Sequence, residues 1–180
     1  MPTIFTHPAI AISLTPWFRD VRASKVVILL GIIFTALPDI DVIAFRFGIP
    51  YAHMFGHRGL SHSLFFAAIC SALVAWPLSR WLTTRAMSVW LFLFLCMASH
   101  GILDMLTNGG QGIALLAPFS NERFFFPYQP IEVSTLSIQR FFAGQGIPVI
   151  ISELKWIWLP SMVVFICGVI LHRIKKSQPD

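Results

Sequence analysis

The residues best suited to chemistry are histidines and aspartates concentrated between Leu37 and Ser63. The whole 180-residue chain has only eight carboxylate side chains, and two of them, Asp39 and Asp41, lie two positions apart here. Imidazole and carboxylate groups are the usual ligands of zinc and related divalent ions. Ionisable groups are costly beside apolar segments, and a cluster of them usually has a function. We therefore interpret this stretch as half of a metal site.

The other half is predicted from His100 and Asp104, which lie four residues apart inside an apolar run. Residues four apart share one face of a helix, so both side chains can reach the same ion. A histidine–carboxylate hydrogen bond that joins two helices is the structural alternative. A buried aspartate without a strong partner is expensive, which favours the metal interpretation.

Asp39 and Asp41 are the predicted catalytic residues. They follow Pro38 just beyond an apolar helix, and in extended backbone two such residues point the same way. Both could then bind the ion, or Asp39 could bind it while Asp41 accepts a proton. Helix capping and compensation of a helix dipole are the alternative roles. Two close carboxylates repel each other unless a cation or a proton intervenes, and a metal would supply the cation.

His57 and His62 are five residues apart and would diverge by about 140° if both were helical. At least one of them is therefore expected on a loop. The alternatives are an interfacial polar role for His57 and Arg58 and a hydrogen bond at a helix start for His62. Arg58 and Arg123 could also bind a phosphate, although each also suits the flank of an apolar core.

His7 joins the candidate ligands through a predicted hairpin of two short helices, Ala9–Phe18 and Val26–Ala36, connected by the charged turn Arg19–Lys25. Such a hairpin places His7 and Asp39 at the same end. His53 is expected to pack at the interface and His172 to belong to the basic tail, so neither is a predicted ligand. The predicted metal ligands are therefore His7, Asp39, His57, His62, His100 and Asp104.

Composition predicts an integral membrane protein with a single domain, residues 1–180. Hydrophobic residues make up 56% of the chain and charged residues 12%, against roughly 25% charged in soluble domains. The net charge of +5 lies in groups that flank apolar runs rather than in a basic stripe, which argues against nucleic acid as a partner. Cys70, Cys96 and Cys167 lie inside apolar runs and are expected to pack as small hydrophobic residues.

The expected fold is an all-α polytopic bundle with two short N-terminal helices and three longer spanning helices. The predicted spanning runs are Ser63–Ser79, Ala86–Leu106 and Ile147–Leu171. Val42–Arg58 is expected to be an interfacial loop with a short helix. Thr107–Gly146 is the least apolar long stretch, with aromatic residues that suit a membrane interface.

Three basic groups predict the topology of the bundle. Cytoplasmic ends of membrane proteins are rich in lysine and arginine, which assigns Arg19–Lys25, Arg80–Arg85 and Arg173–Lys176 to the cytoplasm. Leu37–His62 and His100–Gly146 then lie on the opposite side. All predicted ligands meet at that non-cytoplasmic face.

Several motifs together resemble the YdjM-like family of bacterial inner-membrane proteins, which are described as predicted metal-dependent hydrolases. The resemblance covers roughly Met1–Arg123 and rests on Thr6-His7-Pro8, Leu37-Pro38-Asp39-Ile40-Asp41, His57-Arg58-Gly59-Leu60-Ser61-His62-Ser63, Ser99-His100-Gly101-Ile102-Leu103-Asp104 and Pro118-Phe119-Ser120. The family is in turn distantly similar to zinc-dependent phospholipase C, an all-helical enzyme with a His/Asp zinc cluster. The resemblance implies divalent ions, zinc foremost, at His7, Asp39, His57 or His62, His100 and Asp104. The phospholipase cluster uses further histidines, whereas only His172 follows Asp104 in this chain, so we expect one or two ions rather than three.

The sequence thus predicts a multi-pass inner-membrane hydrolase that acts on an ester or phosphoester at the surface of the bilayer, with a lipid as one candidate substrate. It contains neither a G-x-S-x-G elbow nor a phosphate-binding glycine loop, so serine nucleophile chemistry is unsupported. An ion-binding transporter and a non-catalytic protein whose polar cluster joins helices are the alternatives. The sequence gives no prediction of the oligomeric state.

Overall fold

Helices carry the regular structure of the protein in a computed structural model, which describes residues 1–22, 24–134, 139 and 141–177. Within these ranges there is no β-strand, only two isolated bridges. The all-α fold class is confirmed. The helices are α1 (Pro8–Leu14), α2 (Arg19–Arg22), α3 (Lys25–Ala36), α4 (Leu64–Leu82), α5 (Ala86–Met105), α6 (Gly146–Glu153) and α7 (Leu159–Ser177).

Four helical segments in the described part of the chain are long and apolar enough to cross a membrane: Lys25–Phe47, Leu64–Leu82, Ala86–Met105 and Phe141–Ile174. The last three correspond to the predicted spanning runs. The last one combines α6, a π-helical turn over Leu154–Trp158, and most of α7. The first is longer than the predicted short helix.

The extra length comes from the chain after α3. The α-helix ends at Ala36, close to the predicted stop, but Leu37–Phe47 continues as a 3₁₀ helix. Pro38 lies in its first turn, where a missing backbone N–H costs nothing. Gly48 then ends the segment with a φ of +70°, a conformation that glycine adopts freely. The stretch Val42–Arg58, predicted as an interfacial loop with a short helix, therefore begins inside this 3₁₀ helix, and its irregular part starts at Gly48.

Hydroxyl caps begin two of the membrane helices. The Ser24 side chain accepts a hydrogen bond from Val27 N at the start of α3, and Ser63 accepts one from Phe66 N at the start of α4. Such caps satisfy backbone N–H groups that the helix leaves free. Helix α4 continues beyond the predicted end at Ser79, so the basic turn before α5 is shorter than expected.

Helix α5 packs against four other helices of the bundle, α1 to α4. Helix α4 packs along α5, α5 also packs against α3, and α1 contacts α3, α5 and α7. The buried core between α3, α4 and α5 includes Phe34, Phe92, Leu93 and Cys96. Cys96 is buried, Cys70 half-buried and Cys167 exposed, and all three thiols are free. The predicted polar tail is helical as far as Ser177, and residues 178–180 lie outside the described residues.

Candidate metal centre

Four separate elements deliver the polar side chains to one end of the bundle. The 3₁₀ helix after α3 carries Asp39 and Asp41, and α5 carries the buried His100 and Asp104. A turn and a short 3₁₀ helix, Leu60–His62, carry the two histidines that precede α4. His7 directly precedes α1, which runs from this end of the bundle.

The inner group consists of Asp39, His62, His100 and Asp104, each of which offers one ligand atom within 4.8 Å of the others. The Nε2 atom of His100 lies 3.1 Å from Oδ1 of Asp39. The Nε2 atom of His62 lies 3.7 Å from that oxygen and 3.8 Å from Oδ2 of Asp104. Two ligands of a tetrahedral zinc are roughly 3.3 Å apart when each bond is about 2.0–2.2 Å. The spacing therefore suits an ion of this size.

The hydrogen bond at Nδ1 of His100 directs its other nitrogen into the inner group. Nδ1 lies 2.7 Å from the carbonyl oxygen of Thr35. Since a carbonyl only accepts, Nδ1 carries the proton, and the lone pair of a neutral ring is at Nε2. That lone pair faces the Asp39 carboxylate. A cation or a second proton between them removes the repulsion.

His62 is oriented in the same way by Asp41. Its Nδ1 atom lies 3.1 Å from Oδ2 of Asp41, and its Nε2 atom faces Asp39 and Asp104. A metal-bound histidine usually donates its second N–H to a carboxylate or a carbonyl, which fixes the tautomer. His62 and His100 both have this arrangement.

Asp41 binds several donors at once. Its Oδ1 lies 2.6 Å from Nδ1 of His57. Its Oδ2 accepts from the backbone N of Arg58 at 3.0 Å and from Oγ of Ser61 at 2.5 Å. Asp41, His57 and His62 also form a second group whose ligand atoms lie within 4.8 Å of one another. A neutral imidazole has one lone pair, so His62 can serve only one of the two groups.

Asp104 is held by the buried guanidinium of Arg58, whose Nε lies 3.0 Å from Oδ2 of Asp104. The same guanidinium donates to the carbonyl of Gly109 at 2.7 Å and to Oγ1 of Thr107 at 3.2 Å. All three nitrogens of this guanidinium thus contact groups of the protein. Arg123 donates to several backbone carbonyls, including that of Tyr51 at 2.8 Å, and its guanidinium lies over the Tyr51 ring. Both arginines therefore bind groups of the protein.

His7 lies against the inner group without belonging to it. Its ring stacks on that of His100 with centroids 4.0 Å apart. It is fully buried, and neither of its nitrogens has a hydrogen-bond partner among the described residues. The preceding residue, Thr6, donates to Oε2 of Glu153 at 2.7 Å and accepts from the Trp158 indole at 3.1 Å. These contacts tie His7 to the last membrane segment.

Several buried polar atoms without hydrogen-bond partners lie at or beside the inner group. Their chemical types test whether a metal ion fits there. Within the described part of the chain they include Oδ2 of Asp39, Nε2 of His62, Oδ1 of Asp104 and both nitrogens of His7. Oδ2 of Asp104 also lacks a hydrogen bond, although it forms the ion pair with Nε of Arg58. A buried polar atom left unpaired costs about 1–3 kcal/mol. Here the orphaned atoms are carboxylate oxygens and imidazole nitrogens, the donor set that zinc prefers. The residues fit a divalent transition ion.

Two histidines outside the spanning helices have strongly shifted pKa values. Burial alone lowers the pKa of His62, but hydrogen bonds and charges from Asp39 and Asp41 outweigh it and raise the pKa to about 9. Burial, followed by the charge of His100, lowers the pKa of His7 to about 3. In the metal-free protein His62 is thus protonated at neutral pH, whereas His7 is neutral.

The inner group contains four of the six predicted ligands, Asp39, His62, His100 and Asp104. Of the other two, His7 contacts His100 through its ring face, and His57 lies one step outward, on Asp41. The expectation that Asp39 and Asp41 point the same way is wrong, because they lie on a 3₁₀ helix, where residues two apart are about 240° apart. The two carboxylates instead lie at different ring nitrogens of His62, with Asp39 at Nε2 and Asp41 at Nδ1. His53 is exposed and lies outside both groups.

Sequence reasoning missed the residues that hold the ligands, namely Thr35, Ser61, Thr107, Glu153 and the ion-pairing role of Arg58. Arg58, which lies between His57 and His62 in an apolar chain, was the one available signal of this ion pair, because a buried guanidinium usually has a carboxylate partner. Gly101 was also missed. A Cβ atom there would lie 2.8 Å from the carbonyl oxygen of His62, so α5 approaches the His62 segment closely.

The fold and the site define a polytopic helical membrane protein with a buried His/Asp cluster at one end. A sequence profile of the YdjM inner membrane protein family matches residues 1–178, and the chain belongs to that family. It is 41% identical over 164 residues to the inner membrane protein YbcI of Escherichia coli (strain K12), covering 91% of this chain and 95% of YbcI. No solved structure matches the chain. The protein is thus a multi-pass inner membrane protein.

Proposed function

We propose that the protein is a membrane-embedded, metal-dependent hydrolase that acts on an ester or phosphoester, and that residues 1–180 form one catalytic domain. The observation that supports this best is the convergence of Asp39, His62, His100 and Asp104, with the Nε2 atoms of both imidazoles directed at the carboxylates. Burying these groups together without function would be costly. Zinc is the proposed ion, because two imidazoles and one carboxylate form a typical catalytic zinc donor set.

We assign His62, His100 and Asp104 as the permanent ligands. Their side chains are fully buried, whereas the side chain of Asp39 is 10% exposed. A catalytic zinc site has three protein ligands and keeps one position for water. When bound, the ion lowers the pKa of that water from 15.7 to about 7. A single ion is proposed, because His62 cannot serve the inner group and the Asp41 group together.

Asp39 is the proposed proton acceptor. Its Oδ1 lies near both imidazoles, while its buried Oδ2 has no hydrogen-bond partner among the described residues. Oδ2 is thus free to take a proton from water held at the inner group. Asp41, the other predicted base, has both oxygens engaged, so we assign it to positioning His57 and His62.

A lipid is the proposed source of the ester. An apolar cavity of about 400 Å³ lies beside the cluster, where the 3₁₀ helix after α3 meets the start of α4. Asp41 and Ser61 line it together with Leu37, Ile40, Ile43 and Phe66. Ile40 and Ile43 are largely exposed on the outside of the bundle. An acyl chain could therefore enter from the bilayer without crossing water.

Hydrolysis of defined lipids by the detergent-purified protein tests this function. Fluorogenic lipids with a phosphodiester, a phosphomonoester or a carboxyl ester are compared, each with zinc and with a chelator. We expect zinc-dependent turnover of one class and a loss of at least about 10²-fold in kcat for Asp39→Asn, the size of a general-base contribution. His53→Gln, a change outside the cluster, is the matched control. Stoichiometric zinc without turnover of any class would refute the hydrolase and leave a metal-binding protein.

A further inference from the structure

A second cavity, of about 690 Å³, lies at the end of the bundle opposite the His/Asp cluster. One wall is the segment after α1, with Trp17, Arg19 and Arg22, and the other is the end of α7, with Leu171 and His172. Helix α1 runs from His7 at the cluster toward Trp17, and the last membrane segment runs from Glu153 at the cluster end toward His172. The cavity is thus separated from the candidate metal centre by the length of α1 on one side and by the segment from Glu153 to Gly168 on the other.

Close packing between α7 and the segment after α1 fixes the base of this cavity. The indole of Trp17 donates to the carbonyl of Val164 at 3.1 Å. Gly168 permits that approach, because a Cβ atom there would lie 2.7 Å from the indole nitrogen. The two walls are therefore joined by a specific contact, which makes the cavity a built feature of the fold.

The cavity is lined by the positively charged side chains of Arg19 and Arg22. Arg19 is exposed and Arg22 half-buried, and neither forms an ion pair with any carboxylate that the structure describes. Asp20 lies between them in sequence but does not line the cavity. The imidazole of His172 faces the same space from the opposite wall. The remaining lining is apolar, so the cavity combines cationic groups with a hydrophobic surface.

We propose that this cavity binds the headgroup of an anionic phospholipid. Guanidinium groups suit phosphate oxygens, and basic pockets between membrane helices on the cytoplasmic side bind anionic lipid headgroups. Trp17 is 49% exposed, and a tryptophan at this level is typical of the membrane–water interface. The site is distinct from the candidate hydrolytic centre, and it does not depend on any activity there.

Native mass spectrometry of the detergent-purified protein tests the proposal. Phosphatidylglycerol and phosphatidylcholine with identical acyl chains are titrated in parallel, and soluble glycerol 3-phosphate distinguishes a lipid from a free phosphate. We expect phosphatidylglycerol to bind more tightly than phosphatidylcholine. In Arg19→Gln/Arg22→Gln this preference falls roughly 30-fold, because each basic residue near an anionic lipid is worth about a fivefold gain.

The matched control is Arg80→Gln/Arg85→Gln, which removes two charges from the other basic turn and should leave the preference unchanged. Equal losses in both double variants, or equal binding of both lipids by the natural protein, would overturn the proposal. Binding of glycerol 3-phosphate as tight as that of the lipid would replace the lipid with a soluble phosphate.

A measurement without substitutions covers the case in which the double variant does not fold. A photoactivatable phosphatidylglycerol is cross-linked to the natural protein in nanodiscs, and the modified peptides are mapped. Cross-links concentrated in residues 16–22 and 168–172 are expected. Cross-links spread evenly over the α4–α5 turn and the cavity would contradict a defined site.

Discussion

The proton on each buried imidazole decides whether His62 and His100 can bind an ion. In both residues Nδ1 faces an acceptor, the Asp41 carboxylate or the Thr35 carbonyl, and Nε2 faces the inner group. In the metal-free state the carboxylates around His62 draw a second proton onto it and raise its pKa to about 9. A bound ion must displace that proton, so metal affinity and pH are linked.

Zinc affinity should therefore rise with pH below pH 9. Because the pKa of His62 is raised, its proton is present at neutral pH and is lost as pH rises through about 9. We expect the apparent affinity of chelator-treated protein to increase by about tenfold per pH unit between pH 7 and 8.5. Calorimetry in buffers of different ionisation enthalpy should detect about one proton released per ion at pH 7. An affinity independent of pH, with no proton released, would contradict this assignment.

Asp41→Asn should weaken zinc binding without abolishing it. The substitution removes the charge that orients His62 but leaves the inner ligands in place, and loss of such an outer partner typically costs 10–100-fold in metal affinity. The measurement is competition with a fluorescent chelator. Asp20→Asn, at the opposite end of the bundle, should leave the affinity unchanged. If Asp41→Asn lost zinc as completely as Asp104→Asn does, Asp41 would be a ligand rather than a positioning residue.

Among the elements, the 3₁₀ helix over Leu37–Phe47 has the greatest influence on the site. Its tighter turn sends Asp39 toward Nε2 of His62 and Asp41 toward Nδ1, so that one imidazole lies between two carboxylates. Sequence patterns predicted the helix before Pro38 but not its continuation. Proline normally disfavours helical backbone in the residue before it, yet Leu37 has φ −57° and ψ −39°. Leu37 packs against the buried apolar core, and tertiary packing of this kind can override a local preference.

Gly101→Ala should separate α5 from the His62 segment. The added Cβ would lie 2.8 Å from the backbone oxygen of His62, and backbone cannot yield as a flexible side chain can. We expect zinc affinity to fall by roughly tenfold or more, because a shift of His62 disturbs the contact between its Nδ1 and Asp41 that orients the ring. Gly31→Ala is the control. Its Cβ meets the ring of Phe92 in the core, so thermal stability should fall while zinc affinity is retained. Unchanged affinity in Gly101→Ala would contradict the role of this close approach.

Across the whole molecule, the prediction was strongest where spacing within one helix sufficed. The three long membrane segments and the shared face of His100 and Asp104 follow from apolar length and from a spacing of four. The partners of those residues could not be predicted in the same way. Arg58 forms an ion pair with Asp104, which is 46 residues away in the sequence. The carbonyl of Thr35 accepts a hydrogen bond from His100, which is 65 residues away. Such pairs depend on how helices pack, which local periodicity does not encode.

The distribution of basic residues predicts that the candidate metal centre faces away from the cytoplasm. In a protein with its three cysteines replaced, His53→Cys at the cluster end should react with a membrane-impermeant maleimide in spheroplasts. Arg85→Cys, in the turn between α4 and α5, should react only after the membrane is opened. The reverse labelling pattern would place the centre at the cytoplasmic face and overturn the assigned orientation.

Metal content tests the central claim most directly. The natural protein and the variants Asp104→Asn, His100→Gln and His53→Gln are purified without chelators, and zinc and other transition metals are measured against protein by mass spectrometry. We expect about one zinc ion per chain in the natural protein and in His53→Gln, and little in the two cluster variants. Metal-free natural protein, or full occupancy in both cluster variants, would contradict a metal centre built from these residues.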